Sequence, residues 1–329
     1  MGFFSASFSG TSYPVNFMST LDTWLTSSSW QFVESVGTAT GSFANVYKSS
    51  SALNSVAKDF YIATYRTASV SVGVTFRLFE QWDATNKRAL KYAPSVESAS
   101  GFTVNPIDNT VTDATGLSLN SASLFPNSFT SYTINPQTVY GDIDINRMIV
   151  GSNNTSAGFT NYIGVYDTLL PPSIDPVPLV ISSFGGNTGI SAAPTVNSSL
   201  IHGGASTREP TTPTASYGNF LICTYVGSGL SNSPYVISST NEFNTVGSLY
   251  RGSQPYTAAR IMFYSLRNIP TGMNFTSNYR GVFKDVLTFN NTVARGDTIA
   301  VTDESASVRN YIVTEINSSS KPNVIIRTS

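Results

Sequence analysis

The sequence predicts an all-β protein: two antiparallel sandwich- or barrel-like domains joined through a long Pro-rich arm or loop. Three observations predict it. Residues 69–78 alternate strictly, with Val70, Val72, Val74, Phe76 and Leu78 set against Ser69, Ser71, Gly73, Thr75 and Arg77. That is the period-2 pattern of a strand with one face in a core and the other in water. After residue 280, the runs "GVFKDVLTF", "DTIAVT", "NYIVTEI" and "NVIIRTS" follow one another roughly every 12 residues, the rhythm of a sandwich or barrel. Charged residues reach only 11%, against roughly 25% in globular proteins generally. Ser, Thr, Asn and Gly replace them, with Tyr and Phe supplying most of the aromatics; this mixture suits pleated surfaces and turns better than helices.

Taken in order, the N-terminal stretch holds one short helix near residues 19–26. Ser19 or Thr20 would cap it, with Leu21, Trp24 and Leu25 on one side. "WQFVESV" then alternates as a strand, and "DFYIATY" is apolar on most of both faces. "RTAS" is a hairpin-length connection to the long strand at about 70–79. Short β-like runs follow, separated by "NPIDN", "FPNS" and "INPQ", where Asn and Pro set turn angles. These segments form an N-terminal β domain, 1–145.

Residues 146–216 are read as the arm. Seven of the 16 prolines fall between Pro171 and Pro213, beside two Gly pairs. Its apolar residues Leu169, Leu170, Ile174, Val177, Leu179, Val180 and Ile181 would form an exposed patch, so they are candidates for contact with a neighbouring chain. An ordinary surface loop is the competing reading. Residues 217–329 form the second β domain, opening with "NFLICTY". That run echoes "DFYIATY" in register, either through duplication or through biased composition.

Several function classes find no support. Six scattered lysines and a net charge of −1 provide no dense basic face to displace counterions, so no direct nucleic-acid role is expected. One cysteine, Cys223, cannot make an internal disulfide and reads as a small buried hydrophobe. The N-terminus has neither a basic n-region nor a long apolar run, and no segment approaches the ~20 apolar residues of a membrane span. No membrane insertion is expected. His202, the only histidine, sits in the Gly-rich "SLIHGGAS", a poor frame for a catalytic base. Without a Gly-Lys phosphate loop or clustered His and Cys, no cofactor is expected. "GDIDIN" sets Asp142, Asp144 and Asn146 at alternate positions, but a calcium loop would need Gly and an acid where Arg147 and Asn153 stand. The motif therefore reads as a surface turn. Trp24, Trp30 and Trp82 could build a sugar-stacking platform. Trp82, at the "WDATNK" turn, is either exposed as an interface residue or the closing side chain of a core.

The run "WQFVES…ANVYKSS…DFYIATY…VGVTFRLFEQWDATNKRALKYAP" resembles a pattern in tailed-bacteriophage virion proteins. In that pattern a Trp-led strand is followed by "vYkS", "dfYi" and "LfE-x-wd" closing in a proline. Here these are Trp30, Tyr47–Ser49, Asp59–Ile62, Leu78–Asp83 and Pro94. The runs "GSLYRGSQPYTAARIMFYSLRNIPTG" and "YRGVFKDV…ARGDTIAV…NYIVTEI" resemble sheet-forming end domains of phage tail, collar or baseplate appendages. The resemblance implies a non-enzymatic structural virion protein, assembled in the host cytoplasm as a homo-oligomer with other virion proteins, and it transfers no active residues. The alternative is a carbohydrate-binding module of a phage appendage that recognises a host-surface glycan. A tailspike-like hydrolase is disfavoured, because no β-helix repeat occurs at a fixed period.

Overall fold

The structure, a computed structural model, describes residues 2–10, 13–38, 43–66, 74–85, 87–92, 128–129, 137–153, 160–168, 178–184, 199–201, 220–223, 257–265, 279–290, 293–302, 306–315 and 323–328. Strands dominate, with one α-helix, and every strand pairing among the described residues is antiparallel. The fold is all-β, as the alternation and composition predict.

The described residues form three sheets. The central one has six strands in the order β1 (Gly2–Phe8), β8 (Gln137–Asp144), β9 (Arg147–Ser152), β10 (Thr160–Val165), β12 (Leu179–Phe184) and β13 (Ser199–Ile201). A second sheet runs β2 (Gln31–Gly37), β3 (Phe43–Ser49), β4 (Phe60–Arg66), β5 (Thr75–Asp83) and β6 (Arg88–Tyr92), with β7 (Ser128–Phe129) also paired to β5. The third runs β14 (Phe220–Cys223), β15 (Thr257–Ser265), β16 (Tyr279–Asn290), β19 (Asn323–Arg327), β18 (Val308–Glu315) and β17 (Thr298–Thr302). The two-residue β11 (Asp167–Thr168) is added to β16.

Strands β8, β9 and β10 of the central sheet are buried on both faces, and the strand period of two divides the sheet's side chains between two cores. Val139, Ile143, Met148, Val150, Ile163 and Leu179 join α1 (Tyr13–Ser27) and the second sheet in one cluster. Their neighbours Tyr140, Ile149, Tyr162 and Val180 face the other way, against Phe283, Val286, Ile312, Val324 and Ile326 of the third sheet. A strand wet on neither face needs apolar residues at successive positions, which is why "MIV" in β9 and "LV" in β12 read as unbroken runs.

This corrects the exposed-patch expectation where it can be followed. Leu179 and Val180 are fully buried in the chain's own two cores, and Ile181 pairs with Ile163 and Leu200 inside the central sheet. Leu169, Leu170, Ile174 and Val177 lie outside the described residues, as do His202 and Pro94. Nor do the sheets follow the 1–145, 146–216 and 217–329 division. The central sheet takes β1 and β8 from the first range and β9, β10, β12 and β13 from the second, and residue 145 falls in the β8–β9 hairpin turn.

The helix is longer than predicted, running from Tyr13 to Ser27. Pro14 occupies its first turn, where a missing N–H costs nothing. Tyr13, Phe17, Leu21, Trp24 and Leu25 form one buried stripe. The Ser/Thr-rich sequence masked this helix, but Thr20, Thr23 and Thr26 return their hydroxyls to the Asn16, Ser19 and Asp22 carbonyls at 2.9, 3.3 and 2.7 Å. Trp24 packs on Phe4 of β1 with ring centroids 5.5 Å apart. No helix among the described residues is long and apolar enough to cross a membrane.

Candidate functional site

The most concentrated chemistry lies at the β8–β9 turn, the "GDIDIN" motif read above as a surface turn. It is buried. Arg147 is 1% exposed and Asp142 2%. The Arg147 guanidinium reaches Asp144 at 2.8 Å through Nη1, and Asp142 at 3.1 Å and Asp285 at 2.5 Å through Nη2. Asp285, on β16 of the third sheet, also accepts from Arg327 of β19 at 3.2 Å. Two arginines and three aspartates thus close a cluster between two sheets.

Local chemistry shapes the turn. Asp144 folds its carboxylate back onto the main-chain N–H groups of Asn146 and Arg147 at 2.7 and 3.1 Å, an Asx-type turn that aligns both residues. Opposite it, Gly164 of β10 has φ +127; a Cβ there would lie 2.7 Å from the Arg147 Cα and closer still to the Asn146 carbonyl oxygen. Asp285 itself has φ +61, a left-handed conformation that costs most residues about 1 kcal/mol or more and that Asp and Asn tolerate best. It stands beside the register shift between β15 and β16, and such bulges re-aim side chains.

The second sheet reaches the same turn. The Trp30 indole N–H donates to the Asp144 carbonyl at 2.7 Å and the Ser49 hydroxyl to the Ile145 carbonyl at 2.6 Å. The Ser55 N–H donates to the Asn146 side chain at 2.7 Å. Trp30 and Ser49 belong to the patterned run that opens at Trp30, and so do Tyr47, which donates to Asp22 of the helix, and Asp59, which pairs with Lys48 at 2.6 Å. Phe60, Ile62 and Leu78 of that pattern fill the core. Every one of these is engaged in holding the fold.

Electrostatics follow from burial. Burial alone would weaken the Arg147 charge, but Tyr162, Asp144, Asp142 and Asp285 around it raise its pKa above the ordinary range. Burial pushes Asp142 up to about 6, with Asp285 and Asp144 adding to the rise against the pull of Arg147. Burial likewise lifts Asp22 above the usual carboxylate range, opposed by its bonds from Tyr47 and Asn45.

The arrangement spends its acidic oxygens on arginine and main-chain donors. Among the described residues no group of three or more His, Cys, Asp or Glu is disposed to hold a metal ion. Trp82 is half-buried, its indole N–H donating to Glu34 at 2.5 Å and its ring tilted on Phe79; Glu34 is also paired with Lys87. Trp82 is therefore packed between Glu34 and Phe79 on an inner strand of the second sheet and is not a free stacking platform. Sequence reasoning quoted Asp142, Asp144, Asn146 and Arg147 but missed Asp285 and Arg327, which no local signal connects to them. The sequence matches no known protein-family model and no curated protein.

Proposed function

We propose that the protein is a non-enzymatic structural component of a tailed-phage virion, of the tail, neck or collar, baseplate or capsid surface, acting by self-assembly and by docking on other virion proteins. The observation that carries this reading is the buried Arg147 joint. It ties three sheets to one turn, and two residues of the phage-like pattern, Trp30 and Ser49, donate hydrogen bonds to it while Phe60, Ile62 and Leu78 fill the core. A joint of buried, mutually paired charges such as this is suited to transmitting force and holding shape. Its near-neutral, Ser/Thr-rich character agrees with a particle component whose neighbours are other proteins.

The test is to raise an antibody to the full chain, label density-gradient-purified phage particles from the source of the gene, and identify their proteins by mass spectrometry. The expected result is a fixed copy number per particle and label at one place on the virion. Its absence from particles, or glycan binding by the free protein at micromolar concentration, would replace this reading with an unassembled protein or a host-recognition module respectively.

A further inference from the structure

The geometry points to β1 as a self-association edge, on which a second copy of this chain adds its own β1 antiparallel about a two-fold axis at Ser5. A strand paired on one side only leaves alternate backbone N–H and C=O groups for solvent or another strand, and proteins blunt such edges with charge, bulges or brevity. Among the described residues the other five edges carry one of these devices or are shorter. β2 contains Glu34 and a register shift. β6 contains Arg88 and Lys91. β13 and β14 have three and four residues, and β17 has five. β1 has seven residues, GFFSASF, with no charge, no proline and an unbroken register to β8, its only strand partner among the described residues.

The occupant follows from the strand's own symmetry. Pairing centred on Ser5 sets Gly2 opposite Phe8, Phe3 opposite Ser7 and Phe4 opposite Ala6. The exposed residues Phe3, Ser5 and Ser7 then share one face and the more buried Phe4, Ala6 and Phe8 the other. Whichever alternate set of backbone groups points outward, this register matches each group with its counterpart, as an isologous contact requires. Gly2, Ala6 and Ser7 each sit opposite an aromatic, Ser5 meets its own copy on the axis, and no like charges meet. Phe3 is 37% exposed and stacked on Tyr140 with centroids 6.2 Å apart, so its outer flank is held ready for the second strand. A strand addition of this length buries less than the ~1,000 Å² of a self-sufficient interface. The pairing is accordingly weak in dilute solution and strengthened where copies are held side by side.

The inference deepens the assembly reading, but it is argued from β1 alone and fails separately from it. Sedimentation equilibrium of the full chain should show a concentration-dependent monomer–dimer equilibrium. Ser5→Lys, at an exposed position, should abolish the dimer without shifting the melting temperature, because two lysines would face each other across the axis. Mixing Ser5→Lys with Ser5→Glu should restore a one-to-one dimer. Under mild oxidation Ser5→Cys should crosslink, since directly opposed residues lie within disulfide reach. Ser7→Cys should not, because its copy would lie about 13 Å away along the strand. A wild-type protein that stays monomeric, a dimer indifferent to Ser5→Lys, or equal crosslinking by both cysteines overturns the pairing. A monomer that still labels particles would sink β1 association and leave the virion reading standing.

Discussion

Arg147 of β9 and Asp285 of β16 meet at 2.5 Å across a sequence separation of 138 residues. The contact joins the central sheet to the third sheet at a point where both side chains are largely dry. An unpaired charge at such a place is far more costly than the pair.

Arg147→Met should therefore destabilise the protein by about 3–5 kcal/mol, because it leaves buried carboxylates uncompensated. Asp285→Asn should cost less than Asp285→Ala, since Asn keeps both a polar partner for Arg147 and tolerance of the left-handed backbone. Urea denaturation of the three variants would check the order, and equal losses for the two Asp285 variants would show that neither the polar partner nor the backbone tolerance contributes.

The pH dependence of Asp142 has a definite sign. Its folded pKa of about 6 lies above the ordinary 3.8, so the folded state holds the proton more tightly than the unfolded chain. The resulting stabilisation is complete below the ordinary value and is lost as pH rises through about 6, a span of about 3 kcal/mol. Asp142→Asn removes the titration. The stability of wild type relative to this variant should therefore fall between about pH 4 and pH 7 in chemical denaturation, and a flat difference would mean that Asp142 stays ionised in the fold.

Gly164 and Gly10 both have positive φ, at +127 and +76, but only Gly164 is crowded, whereas nothing lies within 4 Å of a Cβ on Gly10. Gly164→Ala should cost upwards of about 3 kcal/mol, combining strain with displacement of the turn. Gly10→Ala should cost only about 1 kcal/mol. Thermal melts of the pair would separate backbone strain from crowding.

Trp30→Phe keeps an aromatic ring beside Phe60, with which Trp30 makes an edge contact at 5.5 Å, but removes the donor to the Asp144 carbonyl. A loss of about 1–2 kcal/mol is expected, the usual cost of an orphaned buried acceptor. Hydrogen exchange should show faster opening at the β8–β9 turn in this variant than in the strands on either side; uniform acceleration would contradict a local role.

The strands were legible where periodicity is a local property. Val74, Phe76 and Leu78 are buried as their alternation requires, while Val70 and Val72 of the same run lie outside the described residues; "FYIATY" lies in β4, buried along nearly its whole length, and the regularly spaced C-terminal runs form β16 to β19. The helix was under-read, because Ser and Thr favour caps and turns until the helix's own carbonyls accept their hydroxyls. The run around Leu179 was misplaced, because an apolar stretch after prolines looks the same whether it waits for a partner or lies inside a doubly covered sheet.

By itself the sequence determined that the chain folds as antiparallel β-structure with alternating faces, and that its few charges are scattered along it. Only the tertiary structure decided that "GDIDINR" is a joint and not a surface turn. Asp and Asn shape a turn through contacts within three residues, and those contacts are identical in water or in a core. What buries this one are Trp30, Ser49 and Asp285, brought from 114, 96 and 138 residues away. Their meeting depends on the stacking of three sheets, which no local pattern encodes.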